Sequence, residues 1–244
     1  MISIAAVGYE NDNLKEKAQL LAESMHFQLD KNANPCLFLA SDKLYLKMNN
    51  FAPLAADFTA ATWSKRLAEG KKQGLVRACK PQPGMKIIDA TAGWGRDAAV
   101  LASFGAEVLM LERQPVMAAL LADALHHRSE DDAAKLLLNL HAGDACTYLS
   151  ALTISDYPDV IYLDPMHPER NKSALVKKDL QVLQQLIGAD LDALSLIECA
   201  RTRVKQRVVV KWPQKTKPLL KPDASIEGKT VRFDLYFPTV NKQA

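Results

Sequence analysis

From residue 86 onward, short apolar runs alternate with helical patterns, and four of those runs lead into a carboxylate. "KIID" (86–89) ends on Asp89 and precedes a helical pattern from about Arg96 to Phe104. "EVLML" (107–111) runs into Glu112, then into a helical stretch from Pro115 to His127. A third apolar run, 136–141, is followed by Gly143-Asp144, and "VIYL" (160–163) stops at Asp164-Pro165. Helical patterns return at about 173–187 and 191–203, followed by "RVVVK" (207–211) and the alternating "KTVRFDLYF". Short strands separated by helix-length patterns are βαβ units. They predict an α/β fold with a mostly parallel sheet and helices on both faces. In such sheets ligands sit beyond the carboxyl ends of the strands. Asp89, Glu112, Asp144 and Asp164 should therefore share one rim.

Residues 1–80 read differently. A strand over 2–7 leads to a helical stretch over 14–25, and "PCLFLASDKLYLKM" suggests two strands joined around Ser41-Asp42 as a hairpin. A basic helical segment over 63–79 follows. "KPQPG" at 80–84 is the clearest punctuation in the chain. The expected organisation is a small N-terminal α+β domain, 1–80, and a larger domain, 81–244.

The loop after the first strand of the larger domain, "IIDATAGWGRDA", contains Gly93 and Gly95 in a GxGxxA spacing. Alone, that spacing is compatible with a dinucleotide fold or with a bare strand–helix turn. Two features choose among ligands. Asp89 lies four residues before Gly93, where a pyrophosphate would be repelled, and no Lys-Ser/Thr follows the glycines, which excludes a P-loop. A carboxylate there suits a cation. S-adenosylmethionine carries an ammonium and a sulfonium and no phosphate. Glu112 is placed to accept from ribose hydroxyls, and Asp144 from an adenine amino group.

Asp164-Pro165 ends the fourth strand, beside the place of a transferable methyl group. The pair resembles the [DNS]-P-P-[YFW] motif of methyltransferases that act on exocyclic amines. An aryl amine has its lone pair delocalised into the ring and is a poor nucleophile. N–H bonds to the Asp164 carboxylate and the Pro165 carbonyl would hold it facing the sulfonium, with proline fixing φ. Orientation and charge stabilisation are most of what such a transfer needs. His167, three residues on, is read as a base-stacking partner in preference to a general base.

The formal charge is only +3, but its distribution is uneven. Arg201 to Lys221 holds eight basic residues and no acidic one, and Lys65 to Lys80 holds six against Glu69 alone. Such runs are either solvated faces or contacts to an anionic partner. Cys36, Cys79, Cys146 and Cys199 form no CxxC pair, which argues for reduced thiols and against a zinc site or a disulfide frame. No segment approaches the roughly 18 uncharged residues that a membrane span needs. A cytoplasmic protein with neither metal nor membrane partner is expected, and its oligomeric state is left open.

"DATAGWGRDA", "LERQPVMAALLADAL", "YLDPMHP", "KSALVKKDLQVLQQLIG", "RVVVKWP" and "RFDLYF" together resemble the RsmJ family. These are bacterial 16S ribosomal RNA guanine-N2 methyltransferases that use S-adenosylmethionine and release S-adenosylhomocysteine. The resemblance covers roughly 84–237. It implies a Rossmann-like class I methyltransferase fold, and 16S rRNA or the small ribosomal subunit as partner. By position it also implies cofactor contacts at Arg96-Asp97, Glu112-Arg113, Gly143-Asp144 and Asp164. Where the family usually carries an aromatic after Asp-Pro-Met, this chain has His167. The competing readings are an adenine-N6 methyltransferase of DNA or RNA and, behind it, an NAD-dependent oxidoreductase.

Overall fold

A computed structural model of the chain describes residues 3–49, 51–59, 68, 70–166, 186 and 190–239. The elements begin with β1 (Ala6–Tyr9), α1 (Lys15–Met25), β2 (Gln28–Leu29), β3 (Cys36–Leu39) and β4 (Leu44–Lys47). Next come α2 (Gly74–Cys79), β5 (Lys86–Asp89), α3 (Arg96–Ala102), β6 (Glu107–Glu112) and α4 (Pro115–His126). Then follow α5 (Glu130–Lys135), β7 (Leu138–Ala142), α6 (Ala145–Ser150) and β8 (Val160–Leu163). Last are α7 (Ala193–Arg201), β9 (Arg207–Pro213), β10 (Ala224–Glu227) and β11 (Val231–Tyr236).

Contacts divide the chain into two compact units. One comprises Met1–Asp57, Gln114–His127 and Met166–Ala189; the other comprises Phe58–Arg113, Arg128–Pro165 and Asp190–Ala244. This division differs from the expected boundary at residue 80. The reason lies in α2, whose Leu75, Val76, Ala78 and Cys79 are buried and which packs on β9, β11 and α3. Gly74 opens that helix where a Cβ would come within 2.5 Å of the Phe233 ring, so only glycine admits so close an approach.

The first unit holds a four-stranded sheet in the order β2-β1-β3-β4. β1 runs parallel to β2 and β3, while β3 and β4 form the expected antiparallel hairpin. The first strand begins at Ala6, not at residue 2. Helix α4 starts with Pro115 in its first turn, and Gln114 accepts from the Val116 N–H at 2.6 Å. Its Asp123 carboxylate accepts from the Leu44 N–H at 2.7 Å.

The second unit is a seven-stranded sheet ordered β10-β11-β9-β8-β5-β6-β7, with β9, β8, β5, β6 and β7 parallel and β11 antiparallel to both neighbours. β5 sits at the middle of the five parallel strands, so the chain winds outward in both directions from the glycine loop. Because side chains alternate along a strand, the sheet has two apolar faces. Ile88, Leu111, Ile161, Leu163, Val208 and Val210 form one core with α6 and α7. The opposite parity, including Ile87, Val108, Val160 and Val209, is equally buried. α2 and α3 pack on that side. This is a Rossmann-like class I methyltransferase sheet, as expected. Four short elements were not read from the sequence: β2, α5, α6 and β10. The third strand starts at Leu138 because α5 takes up the residues before it. The helical pattern at 173–187 lies outside the described residues except for Leu186.

Candidate active site

β5 ends at Asp89, which is 1% exposed. The chain then leaves the sheet stitched to both neighbouring strands: Ala90 N–H donates to the Tyr162 carbonyl at 2.9 Å and Ala92 N–H to the Leu111 carbonyl at 3.2 Å. Gly93 and Gly95 take φ of +54° and +68°, in the left-handed region that glycine enters without strain. Gly93 N–H donates to Glu112 Oε2 at 2.8 Å, so the carboxylate that ends β6 anchors the glycine loop. Glu112 is 5% exposed. Thr91 links the two acidic strand ends. Its N–H donates to Asp89 Oδ1 at 3.1 Å, and its hydroxyl accepts from the Asp164 N–H at 2.6 Å.

Asp97 lies in the first turn of α3, where the helix dipole favours a negative charge. Its Oδ2 accepts from the Tyr162 hydroxyl at 2.7 Å and from Lys211 Nζ at 2.9 Å. The same Nζ lies 2.6 Å from Asp164 Oδ2. Asp89, Asp97, Glu112 and Asp164 thus form one electrostatic cluster around the ends of β5, β6 and β8, with Lys211 of β9 among them. Burial pushes the Asp89 carboxyl up to about 8, and the negative charge of Asp97 adds to the effect, with the Thr91 hydrogen bond partly offsetting it. Burial alone would lower the Lys211 ammonium, but the Asp97 and Asp164 carboxylates outweigh it and hold Lys211 above its ordinary value. Burial, then Asp97, drives the Tyr162 phenol well up.

Beyond β6 and β7 the rim is solvated. Arg113, expected from the resemblance as a cofactor contact, forms an ion pair with Asp190 and another, at 2.6 Å, with Asp192. Those pairs hold its guanidinium above its ordinary value, with Asp192 the largest cause. Asp144 is exposed and caps α6, its Oδ1 accepting from the Thr147 N–H at 2.8 Å and the Thr147 hydroxyl at 2.9 Å. Gly143 N–H donates to the Glu112 carbonyl at 2.9 Å, which ties this segment back to β6. Arg96 is exposed and Pro165 buried. His167 lies outside the described residues.

The structure therefore brings Asp89, Gly93, Asp97, Glu112 and Asp164 together, and leaves Arg113 and Asp144 in separate local networks. It adds Thr91, Tyr162 and Lys211, which the sequence reading did not single out for the site. A lysine inside an otherwise apolar strand, "VVVKW", was the available signal for Lys211. A groove of about 450 Å³ lined by Arg77, Lys80, Pro81, Gln82, Phe104 and Ile226 lies elsewhere, by the start of β5 and the end of α3. Among the described residues no helix is long and apolar enough to cross a membrane. The donor set at the inner rim is acidic, beside a permissive glycine loop. It suits a cationic ligand and opposes a pyrophosphate.

A family model described as a putative SAM-dependent methyltransferase matches residues 20–238. The chain is 68% identical to a protein named ribosomal RNA small subunit methyltransferase J from Legionella pneumophila strain Lens, over 98% of each chain. It is 42% identical to a protein of the same name from Thioalkalivibrio sulfidiphilus, over 95% of this chain and 96% of that one. A crystal structure of a SAM-dependent methyltransferase from Neisseria gonorrhoeae superposes with a TM-score of 0.73 at 29% identity, covering 98% of this chain and 97% of that one.

Proposed function

The chain belongs to the ribosomal RNA small subunit methyltransferase J family of SAM-dependent methyltransferases, and from that premise we propose that it methylates the exocyclic N2 amine of a guanine in 16S rRNA. The observation that carries this reading is the seating of Asp164-Pro165. The pair follows β8, is fixed by Thr91 and Lys211, and belongs to the same cluster as the glycine loop's anchor, Glu112. An acceptor amine there meets a carboxylate on a backbone that cannot swing away.

Asp89 at the strand end suits the ammonium of the cofactor's methionine portion. Glu112 and Asp144 accept from its ribose hydroxyls and adenine amino group, and Arg96-Asp97, Arg113 and Gly143 flank them. S-adenosylmethionine, when bound, supplies an electrophilic methyl on sulfur. Asp164 and the Pro165 carbonyl accept the N–H groups of the guanine amine and weaken its conjugation with the ring, so that the lone pair points at the incoming carbon. That interaction grows as the nitrogen becomes positive, so it acts mainly on the rate. His167 would stack on the flipped base.

RNA has a track beside this rim. β9 leads into a turn carrying the exposed Lys215 and Lys217. Arg232 Nη1 donates to the carbonyls of Pro213, Gln214 and Thr216 at 2.9, 2.9 and 2.8 Å, and Trp212 Nε1 to that of Lys217 at 3.0 Å. A basic turn held this firmly loses little freedom on meeting a phosphate backbone. Methyl-transfer assays on naked 16S rRNA, free small subunits and DNA, with digestion to nucleosides, test the proposal. N2-methylguanosine from either RNA substrate supports it; N6-methyladenosine, or label in DNA alone, overturns it.

A further inference from the structure

Lys211 occupies the one charged position inside the run from Val208 to Trp212. Its Nζ contacts Asp164 Oδ2 at 2.6 Å and Asp97 Oδ2 at 2.9 Å, and Asp97 Oδ2 also accepts from the Tyr162 hydroxyl at 2.7 Å. Asp164 is thus gripped twice, through its N–H by Thr91 and through its carboxylate by Lys211. The groups that act on this ammonium are Asp97 of α3 and Asp164 after β8, and Asp97 is in turn faced by Tyr162 of β8, Asp89 of β5 and Cys79 of α2. In β11, Phe233 stands opposite Lys211. The Asp97 and Asp164 carboxylates, which share this ammonium, repel one another. Without a cation among them, Asp164 would either swing toward solvent or take up a proton. A protonated carboxyl donates, and could no longer accept both from its partners and from an amine N–H.

We propose that Lys211 is a positioning residue for methyl transfer: it keeps Asp164 ionised and in one orientation, while Asp97 and Tyr162 fix the ammonium in turn. Lys211 touches neither cofactor nor acceptor; it acts through Asp164. The inference rests on the function proposed above. It also takes Lys211 out of the basic run that would meet RNA, since its charge is spent inside the site.

The test is a double-mutant cycle. Single-turnover methyl transfer is measured for wild type, K211M, K211R, D164N and K211M/D164N on the RNA substrate that the wild type modifies. S-adenosylhomocysteine binding is followed by calorimetry. K211M should lower the rate about tenfold or more and move the acid limb of the rate profile to higher pH, because Asp164 loses its cation. Binding of S-adenosylhomocysteine should stay within about threefold, and K211R should restore part of the rate. In the D164N background the same K211M change should cost less than about threefold, because the residue through which it acts is already altered. Wild-type rates in K211M, full multiplication of the two deficits, or a rate loss matched by lost binding would each overturn the proposal. If K211M does not fold, K211Q carries the same readouts. A wild-type protein that methylates no small-subunit RNA would sink the proposed function itself, whereas an active wild type with multiplying deficits sinks only Lys211.

Discussion

Glu112 and Arg113 are neighbours in sequence and face different worlds. Glu112 is buried and anchors the glycine loop, within a cluster that also holds Asp89, Asp97 and Asp164. Arg113 is half exposed and pairs with Asp190 and Asp192, and Asp144, past β7, caps a short helix at the surface. Both regions lie at strand ends and use the same residue types. The difference is desolvation. In the inner cluster each charge depends on the others, so ionisation, position and ligand binding are coupled. In the outer region water screens the charges, and each side chain answers chiefly to its local partner. Strongly perturbed acids gather where chemistry is done, so the largest mutational effects should come from the inner cluster.

Asp164→Ala should show the largest effect. Turnover should fall at least about tenfold while the folded protein still binds S-adenosylhomocysteine, because the lost interaction matters most in the transition state. Single-turnover rates and calorimetry read this together. Near-normal turnover would remove the chemical distinction between the two regions.

Glu112→Ala comes next. It leaves the Gly93 N–H without its acceptor and should weaken S-adenosylmethionine by about 1–3 kcal/mol. Glu112→Gln, which can still accept from Gly93, should lose less. Equal losses in both would mean that the charge, and not the loop anchor, is what the cofactor feels.

Asp89→Asn tests the coupling through pH. The folded carboxyl stands at about 8 against an ordinary 3.8. Between those values the native state holds a proton that the unfolded chain has released. The contribution of Asp89 to stability is therefore complete below about pH 4 and is lost as pH rises through about 8. Asn cannot ionise. The melting temperature of the variant should gain on that of wild type from pH 5 to about pH 8 and level off above it. Parallel curves would show that Asp89 ionises freely and that the inner cluster is less desolvated than its burial implies.

The strand–helix alternation made the sheet legible, because burial on both faces imposes apolar runs that carry no other meaning. β5 and β8 fall at the expected residues, and the acids at their ends were visible because a charge closing such a run is conspicuous. Partner choice was not visible. Asp97, Tyr162, Asp164 and Lys211 meet across separations of 47 to 114 residues, and no local pattern encodes which lysine of a basic run turns inward. The basic run from Arg201 to Lys221 shows the limit: Lys211 is committed to two carboxylates while Lys215 and Lys217 are exposed. Reversing Lys215 and Lys217 to Glu should lower RNA affinity and flatten its salt dependence by about 0.7 in log–log slope per lost phosphate contact, with cofactor binding unchanged. An unaltered slope would make that turn a solvated face. The short elements α5 and α6 escaped for a different reason. Each is six residues long, too short for a 3.6-residue period to declare itself, and each is set by its capping side chain, Ser129 or Asp144.

The smallest effects should lie at Asp144, and they separate its two roles. As the cap of α6 it satisfies the Thr147 N–H, so Asp144→Ala should cost about 1 kcal/mol of stability, read as a lower denaturation midpoint. Asn caps nearly as well as Asp, so Asp144→Asn should leave that midpoint almost unchanged. Its amide oxygen can still accept from the adenine amino group, but without the negative charge. If Asp144 faces the cofactor, Asp144→Asn should weaken S-adenosylmethionine by about 1 kcal/mol at unchanged stability, the modest size expected for one solvent-exposed hydrogen bond. If affinity follows stability instead, falling in the alanine variant and holding in the asparagine variant, then Asp144 only builds the helix. The outer region would then be scaffold, and the recognition of the adenine end would have to come from the backbone of the Gly143 segment.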